Sequence, residues 1–170
     1  MRCTFFPGSG CQKPHIQSVM ASKREDHLSK EIQIEFQKGG VFSAELFEKE
    51  APKSSKVIWS RLPFEYEFYH SIVSGRAIVT LPPDLTVEPE NQMVMGIEPG
   101  TISFLVKDPP RLIPDEIYIS YGIFVSRGLT VNAYQPVNVF AKIHEDLDEL
   151  NTVCRRVLMK GAEKVKFSSK

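Results

Sequence analysis

A chain of 170 residues with 42% hydrophobic residues can close one sizeable core, and Lys+Arg and Asp+Glu balance at 21 each for a formal net charge of zero. With that balance, and with no basic stripe or RNA-binding aromatic box, nucleic acid is excluded from the expected partners; no apolar run approaches the roughly 20 residues of a membrane span either. Cys3, Cys11 and Cys154 are too scattered for a disulfide framework and form no C-x-x-C pair for zinc, so a cytoplasmic protein without metal or cofactor is expected.

Residues 1–29 (MRCTFFPGSGCQKPHIQSVMASKREDHLS) hold no sustained period of 2 or 3.6 and read as a disordered tail ahead of a single domain at 30–170. Gly8-Ser9-Gly10 lacks the leading strand and the Gly-Lys-Ser/Thr ending of a phosphate loop. Met20-Ala21-Ser22 would also serve as a start of its own.

From Glu31 the alternation is clean: Ile32, Ile34 and Phe36, then Gly39-Gly40, then Phe42, Ala44 and Leu46 predict a β-hairpin with a Gly-Gly turn. Ala51-Pro52-Lys53-Ser54-Ser55 opens a short helix with Val57, Ile58 and Leu62 on its buried stripe, and Pro63 ends it. Trp59, the single tryptophan, is expected in or over the core.

The stretch FEYEFYHSIVSGRAIVTLP, Phe64 to Pro82, predicts a second hairpin about Ser74-Gly75. Phe64, Tyr66, Phe68, His70 and Ile72 share one face before the turn, and Ala77, Val79 and Leu81 supply the apolar set after it. Residues 82–100 read as a loop containing a short strand at Met93 to Ile97. Strands follow at Thr101 to Val106, with Ile102, Phe104 and Val106 on one face, and at Glu116 to Tyr121, before a bend at Gly122 and an irregular stretch to Pro136. Between those two strands Lys107 to Asp115 forms a loop stiffened by three prolines.

Val137 to Ile143 predicts a strand with Val137, Val139, Ala141 and Ile143 turned inward. Asp146 and Glu149 read as a capping box opening a helix with Leu147, Leu150, Cys154, Val157 and Leu158 on its apolar stripe; Gly161 stops it, and Val165 and Phe167 mark a last strand. Cys154 is thereby read as structural. The whole is mainly β, a closed barrel or sandwich of about eight or nine short strands with two covering α-helices.

The order of these elements carries a resemblance. The hairpin, then APKSSKVIWSRLPFE, FYHSIVSG, EPGTISF, EIYISYG and PVNVFAKI ahead of an amphipathic helix resembles a bacterial and archaeal family of uncharacterised proteins with a cyclophilin-like fold, over Glu31 to Phe167. That resemblance implies a cyclophilin-like closed β-barrel. True cyclophilins are peptidyl-prolyl isomerases whose catalytic arginine follows a Phe-His pair; here Ser71 follows Tyr69-His70, and Thr80, Leu81 and Pro82 stand where the isomerase groove has a glutamine-glycine-glycine run.

No Gly-x-Ser-x-Gly elbow supports a serine nucleophile, and His144-Glu145 lacks the second histidine of a metalloprotease helix. His70 stands out, since a polar ring on an aromatic strand face must find a hydrogen bond or face a cavity. One reading makes it a core histidine; the other places it at a barrel mouth with Arg76 and Tyr121 as ligand-binding candidates, suited to a small polar or anionic compound. Three functional classes follow: a non-catalytic binding or accessory module, an isomerase or other enzyme with an unrecognised site, and a homo-oligomeric structural protein.

Overall fold

The computed structural model describes residues 29–82, 84–94, 97–106, 115–127 and 134–170. The tail expected over residues 1–29 therefore lies, apart from Ser29, outside the described residues, as does the proline-stiffened loop except for Asp115.

Eight strands form a closed antiparallel barrel: β1 Glu31–Phe36, β2 Val41–Leu46, β3 Phe64–His70, β4 Gly75–Thr80, β5 Thr101–Leu105, β6 Glu116–Phe124, β7 Asn138–Ile143 and β8 Glu163–Ser169. Around the barrel they run β1-β2-β7-β5-β6-β4-β3-β8, with β8 pairing back onto β1. Closure leaves no unpaired edge, so the period-2 alternation of each strand separates an inside from an outside. Two helices cover it: α1 Pro52–Arg61 packs against β7, and α2 Leu147–Lys160 packs against β3, β4 and β6.

The first hairpin forms as its alternation predicts, with Ile32 opposite Ala44 and Ile34 opposite Phe42. Its inward residues join Phe68, Phe104, Phe140 and Phe167 in the main core, where Phe167 stacks between Phe64 and Phe68. Ile58 is fully buried on α1, whereas Val57 and Leu62 only flank the core, and Trp59 lies half-buried beneath Lys30. α1 also buries Ser54 and Ser55. The polar demand of Ser54 is met by Glu90, which accepts the Ser54 amide at 2.8 Å, its hydroxyl at 2.6 Å and the Lys53 amide at 2.6 Å, capping the helix from a distant loop.

Several sequence expectations are corrected. In the second hairpin, residues 71–74 make the connection, and Ile72 is 92% exposed at its tip. His70 pairs with Ile78, so the even residues Ile78 and Thr80 turn inward, while Ala77 and Val79 join a second apolar cluster on the outer face and Leu81 is exposed. That cluster, with Tyr118, Phe124, Val137 and Val139, explains why both faces of this wall read as apolar.

On β7 the register shifts by one residue, with Ile102 and Ser103 of β5 facing Ala141 and Val139, so the alternation breaks at Phe140. Ala141 and Ile143 then reach the main core beside Phe140, and Val137 and Val139 face outward. Of the strand expected at Met93 to Ile97, Met93 bridges to Val137 and Ile97 to Phe124, while positions 95 and 96 lie outside the described residues. β6 runs through Gly122 to Phe124 instead of bending there.

The capping box does not form. Asp146 takes a left-handed conformation (φ 55°) with no side-chain hydrogen bond to the helix, the amide end of α2 being turned by backbone geometry instead. α2 buries Leu150, Val153, Cys154 and Val157, while Leu158, assigned to the stripe from its spacing, is exposed. Gly161 closes the helix with its amide on the Val157 carbonyl at 3.1 Å.

Candidate functional site

Of the three residues singled out from the sequence, Tyr121 is the one the others meet: His70 bonds to it from β3, and Arg76 shares a depression with it beside α2. Tyr121 reaches the main core from β6 and is 3% exposed; His70 reaches it from the end of β3. His70 Nε2 and the Tyr121 hydroxyl lie 2.6 Å apart, with the rings edge to face at 5.8 Å between centroids. Burial holds the His70 ring below its ordinary value of 6.5, opposed by a contact with the Ser71 backbone. At neutral pH the pair is an uncharged imidazole and an uncharged phenol that satisfy each other, whichever tautomer the ring takes. The demand that made His70 conspicuous in the sequence is thus met by a side chain 51 positions away.

Arg76 arrives through a break in register. Gly75 pairs with Phe124 and Ala77 with Ser120, so Tyr121, Gly122 and Ile123 of β6 all lie opposite this one residue of β4. Its aliphatic stem then lies flat on Gly122: a Cβ at that glycine would stand 2.5 Å from Arg76 Cδ and 2.9 Å from Arg76 Cβ. Gly122 is required for close approach, a role its position after Tyr121 did not reveal.

Tyr121, Gly122 and Arg76 line a depression of about 610 Å³, floored by Ile97 and Phe124 and walled on the α2 side by Asp148 and Asn151. Asn151, which sequence reasoning missed, donates its side-chain amide to the Tyr121 carbonyl at 3.1 Å and pins α2 to β6. Burial, reinforced by Cys154, raises the Tyr121 phenol, while the charges of Arg76 and Arg155 oppose the rise. Cys154 is itself fully buried, and burial drives its thiol well above the ordinary value, consistent with the structural reading.

His70 is not a wall of that depression. It borders a separate one of about 310 Å³ on the outer face, with Tyr69, Ile72, Val79, Leu81 and Tyr118. Another depression, of about 700 Å³ along Glu45 to Glu50 with Ser29, contains none of the residues predicted from sequence.

Ser71, which follows Tyr69-His70, is buried, and its hydroxyl accepts the Ser74 amide at 3.3 Å. Among the described residues, no group of three or more His, Cys, Asp or Glu side chains could hold a metal ion, and no helix is long and apolar enough to cross a membrane.

Solved structures that share the fold include the following two. McbB, in a structure in complex with tryptophan, is 22% identical with a TM-score of 0.63 over 82% of this chain, which spans 44% of that protein's length. The hypothetical protein AF2241 from Archaeoglobus fulgidus, a solution structure, is 18% identical with a TM-score of 0.52, covering 86% of this chain and 99% of that one. Among curated proteins none matches. A family model described as "Protein of unknown function (DUF3830)" matches residues 34–169, from within β1 to the end of β8, and the chain belongs to that family.

Proposed function

We propose that this chain is a non-catalytic binding module on a cyclophilin-like barrel, holding a small polar or anionic compound where β4, β6 and α2 meet. Arg76 supplies the charge, Tyr121 the wall, and His70 acts behind Tyr121 as a positioning residue. The observation that carries this reading is the seating of Arg76. Its stem is held by close packing on Gly122, and among the described residues its guanidinium has no ion-pair or hydrogen-bond partner, although it lines a depression. A guanidinium whose stem is seated on backbone, with no partner of its own and beside apolar side chains, is an anion-binding arrangement.

The cyclophilin-like assignment is supported by the order of elements and by the closed eight-stranded barrel with two helices. Non-catalytic is supported by Ser71, whose buried hydroxyl is engaged with the backbone and offers no cation to a twisting imide.

The test is a thermal-shift screen of small carboxylates and amides on the wild type, Arg76→Ala and His70→Leu. Tryptophan belongs in the panel because McbB is seen with it, although the likeness between the two carries only the fold. Stabilising compounds should lose their effect in Arg76→Ala and be weakened in His70→Leu. Hits that shift all three proteins equally would place the site elsewhere.

A further inference from the structure

Resting on that reading, a second charge in the same depression narrows the ligand. On α2, Asp148, Asn151 and Arg155 follow one another at spacings of three and four, which puts them on one stripe of the helix. Asn151 ties this stripe to Tyr121, and Asp148 and Asn151 line the depression with Arg76. Arg155 follows one turn beyond Asn151 on that stripe, exposed and outside the lining of the depression.

The charges around this depression are not used up internally. Glu98, the other acid on its wall, is paired with Lys142. Among the described residues, the side chains of Asp148, Arg76 and Arg155 have no ion-pair or hydrogen-bond partner. The depression therefore offers one guanidinium, that of Arg76, one carboxylate and an apolar floor of Ile97 and Phe124, both buried. A simple anion would leave the Asp148 carboxylate facing it, which is a like-charge penalty. A molecule carrying a carboxylate and an ammonium beside an apolar group matches all three features.

We infer that the depression takes a free α-amino acid with an apolar side chain as its zwitterion, the carboxylate toward Arg76 and the ammonium toward Asp148. Asp148 then acts as the specificity residue, rejecting simple carboxylates.

Calorimetric titration of the intact chain with L-phenylalanine, 3-phenylpropionate and 2-phenylethylamine separates the two charges, since the three probes differ only in which charged group they keep. The wild type should bind L-phenylalanine roughly fivefold more tightly than 3-phenylpropionate, the contrast expected of one partly exposed ion pair, and 2-phenylethylamine more weakly than either. Asp148→Asn should bring the two carboxylates within about twofold of each other by weakening L-phenylalanine, and Arg76→Ala should weaken both. Both positions are exposed, and the unliganded melting temperature of each variant verifies that the fold is intact. Equal binding of the two carboxylates to the wild type would overturn the zwitterion while leaving the anion site in place. No binding of either, or binding unchanged by Arg76→Ala, would overturn both.

Discussion

Nε2 of His70 and the hydroxyl of Tyr121 meet at 2.6 Å across the inside of the barrel, joining the end of β3 to β6 beneath α2. Tyr121→Phe should destabilise the fold by about 1 kcal/mol, the loss of one hydrogen bond to the half-buried His70 ring. His70→Leu should cost about 1–3 kcal/mol by orphaning the phenol of the buried Tyr121. The double variant His70→Leu/Tyr121→Phe should then be more stable than the sum of the two single losses predicts, because neither polar group remains. Urea unfolding of the four proteins measures this coupling; strict additivity would show that the two groups do not depend on each other.

The same pair makes stability depend on pH. Because burial holds the folded His70 below 6.5, the unfolded chain takes up its proton at the higher pH. Stability present above pH 6.5 should therefore be lost as pH falls through the folded value, and level off below it. His70→Gln should lose this component of the pH dependence and keep the remainder, which comes from carboxylates. Melting temperatures between pH 7.5 and 5 for both proteins provide the comparison, and parallel curves would remove His70 from the effect.

Gly122→Ala should displace Arg76. The added methyl would meet not only the mobile Cδ at 2.5 Å but also the anchored Cβ at 2.9 Å, so rotation of the distal stem alone does not relieve the clash. A cost of about 1–3 kcal/mol is expected from overpacking, together with weakened binding of any carboxylate that Arg76 holds. Binding at wild-type strength in a folded Gly122→Ala protein would show that the seating of Arg76 on Gly122 is immaterial.

Within one strand and between two ion pairs, burial should decide the cost of substitution. Phe68→Ala should lose about 3–5 kcal/mol from a fully buried position, and its exposed neighbour Glu67→Ala less than about 0.5 kcal/mol. Glu163, whose side chain is fully buried, accepts Arg156 at 2.7 and 2.9 Å and the Lys38 amide at 2.6 Å, holding α2 and β8 to the first hairpin. Glu163→Ala should cost about 3 kcal/mol, whereas breaking the exposed Lys170–Glu31 pair with Glu31→Ala should cost under about 1 kcal/mol. Chemical denaturation ranks the four variants.

On the proposed cyclophilin-like reading prolyl isomerisation should not be accelerated, since Ser71 would then put a neutral, engaged hydroxyl where an isomerase holds a cation. A protease-coupled proline-peptide assay is the measurement. Acceleration abolished by Arg76→Ala would assign the cation to Arg76 across the turn, and acceleration that survives it would refute the non-catalytic reading.

The local elements of this barrel were legible in the sequence because they rest on short-range physics. Alternation over Glu31 to Leu46, the glycines at 39 and 40, Pro52 and Pro63 around α1, and Gly161 after α2 each act within a few residues and survived folding as read. His70 was conspicuous for the same reason, as one polar ring among Phe64, Tyr66 and Phe68. What the tertiary structure alone decided depends on partners far along the chain. The inward face of β4 could not be chosen from its residues, because Ala77 and Val79 are apolar for a second cluster that appears only when β6 and β7 arrive. The irregular registers opposite Arg76 and at Phe140 belong to strand pairs, not to either strand, and each reassigns which side chains point where. Glu90 capping α1, Tyr121 answering His70 and Gly122 carrying the stem of Arg76 are likewise contacts across the barrel. Composition and periodicity reach only as far as one element; where closure brings distant elements together, the barrel itself settles the pairing.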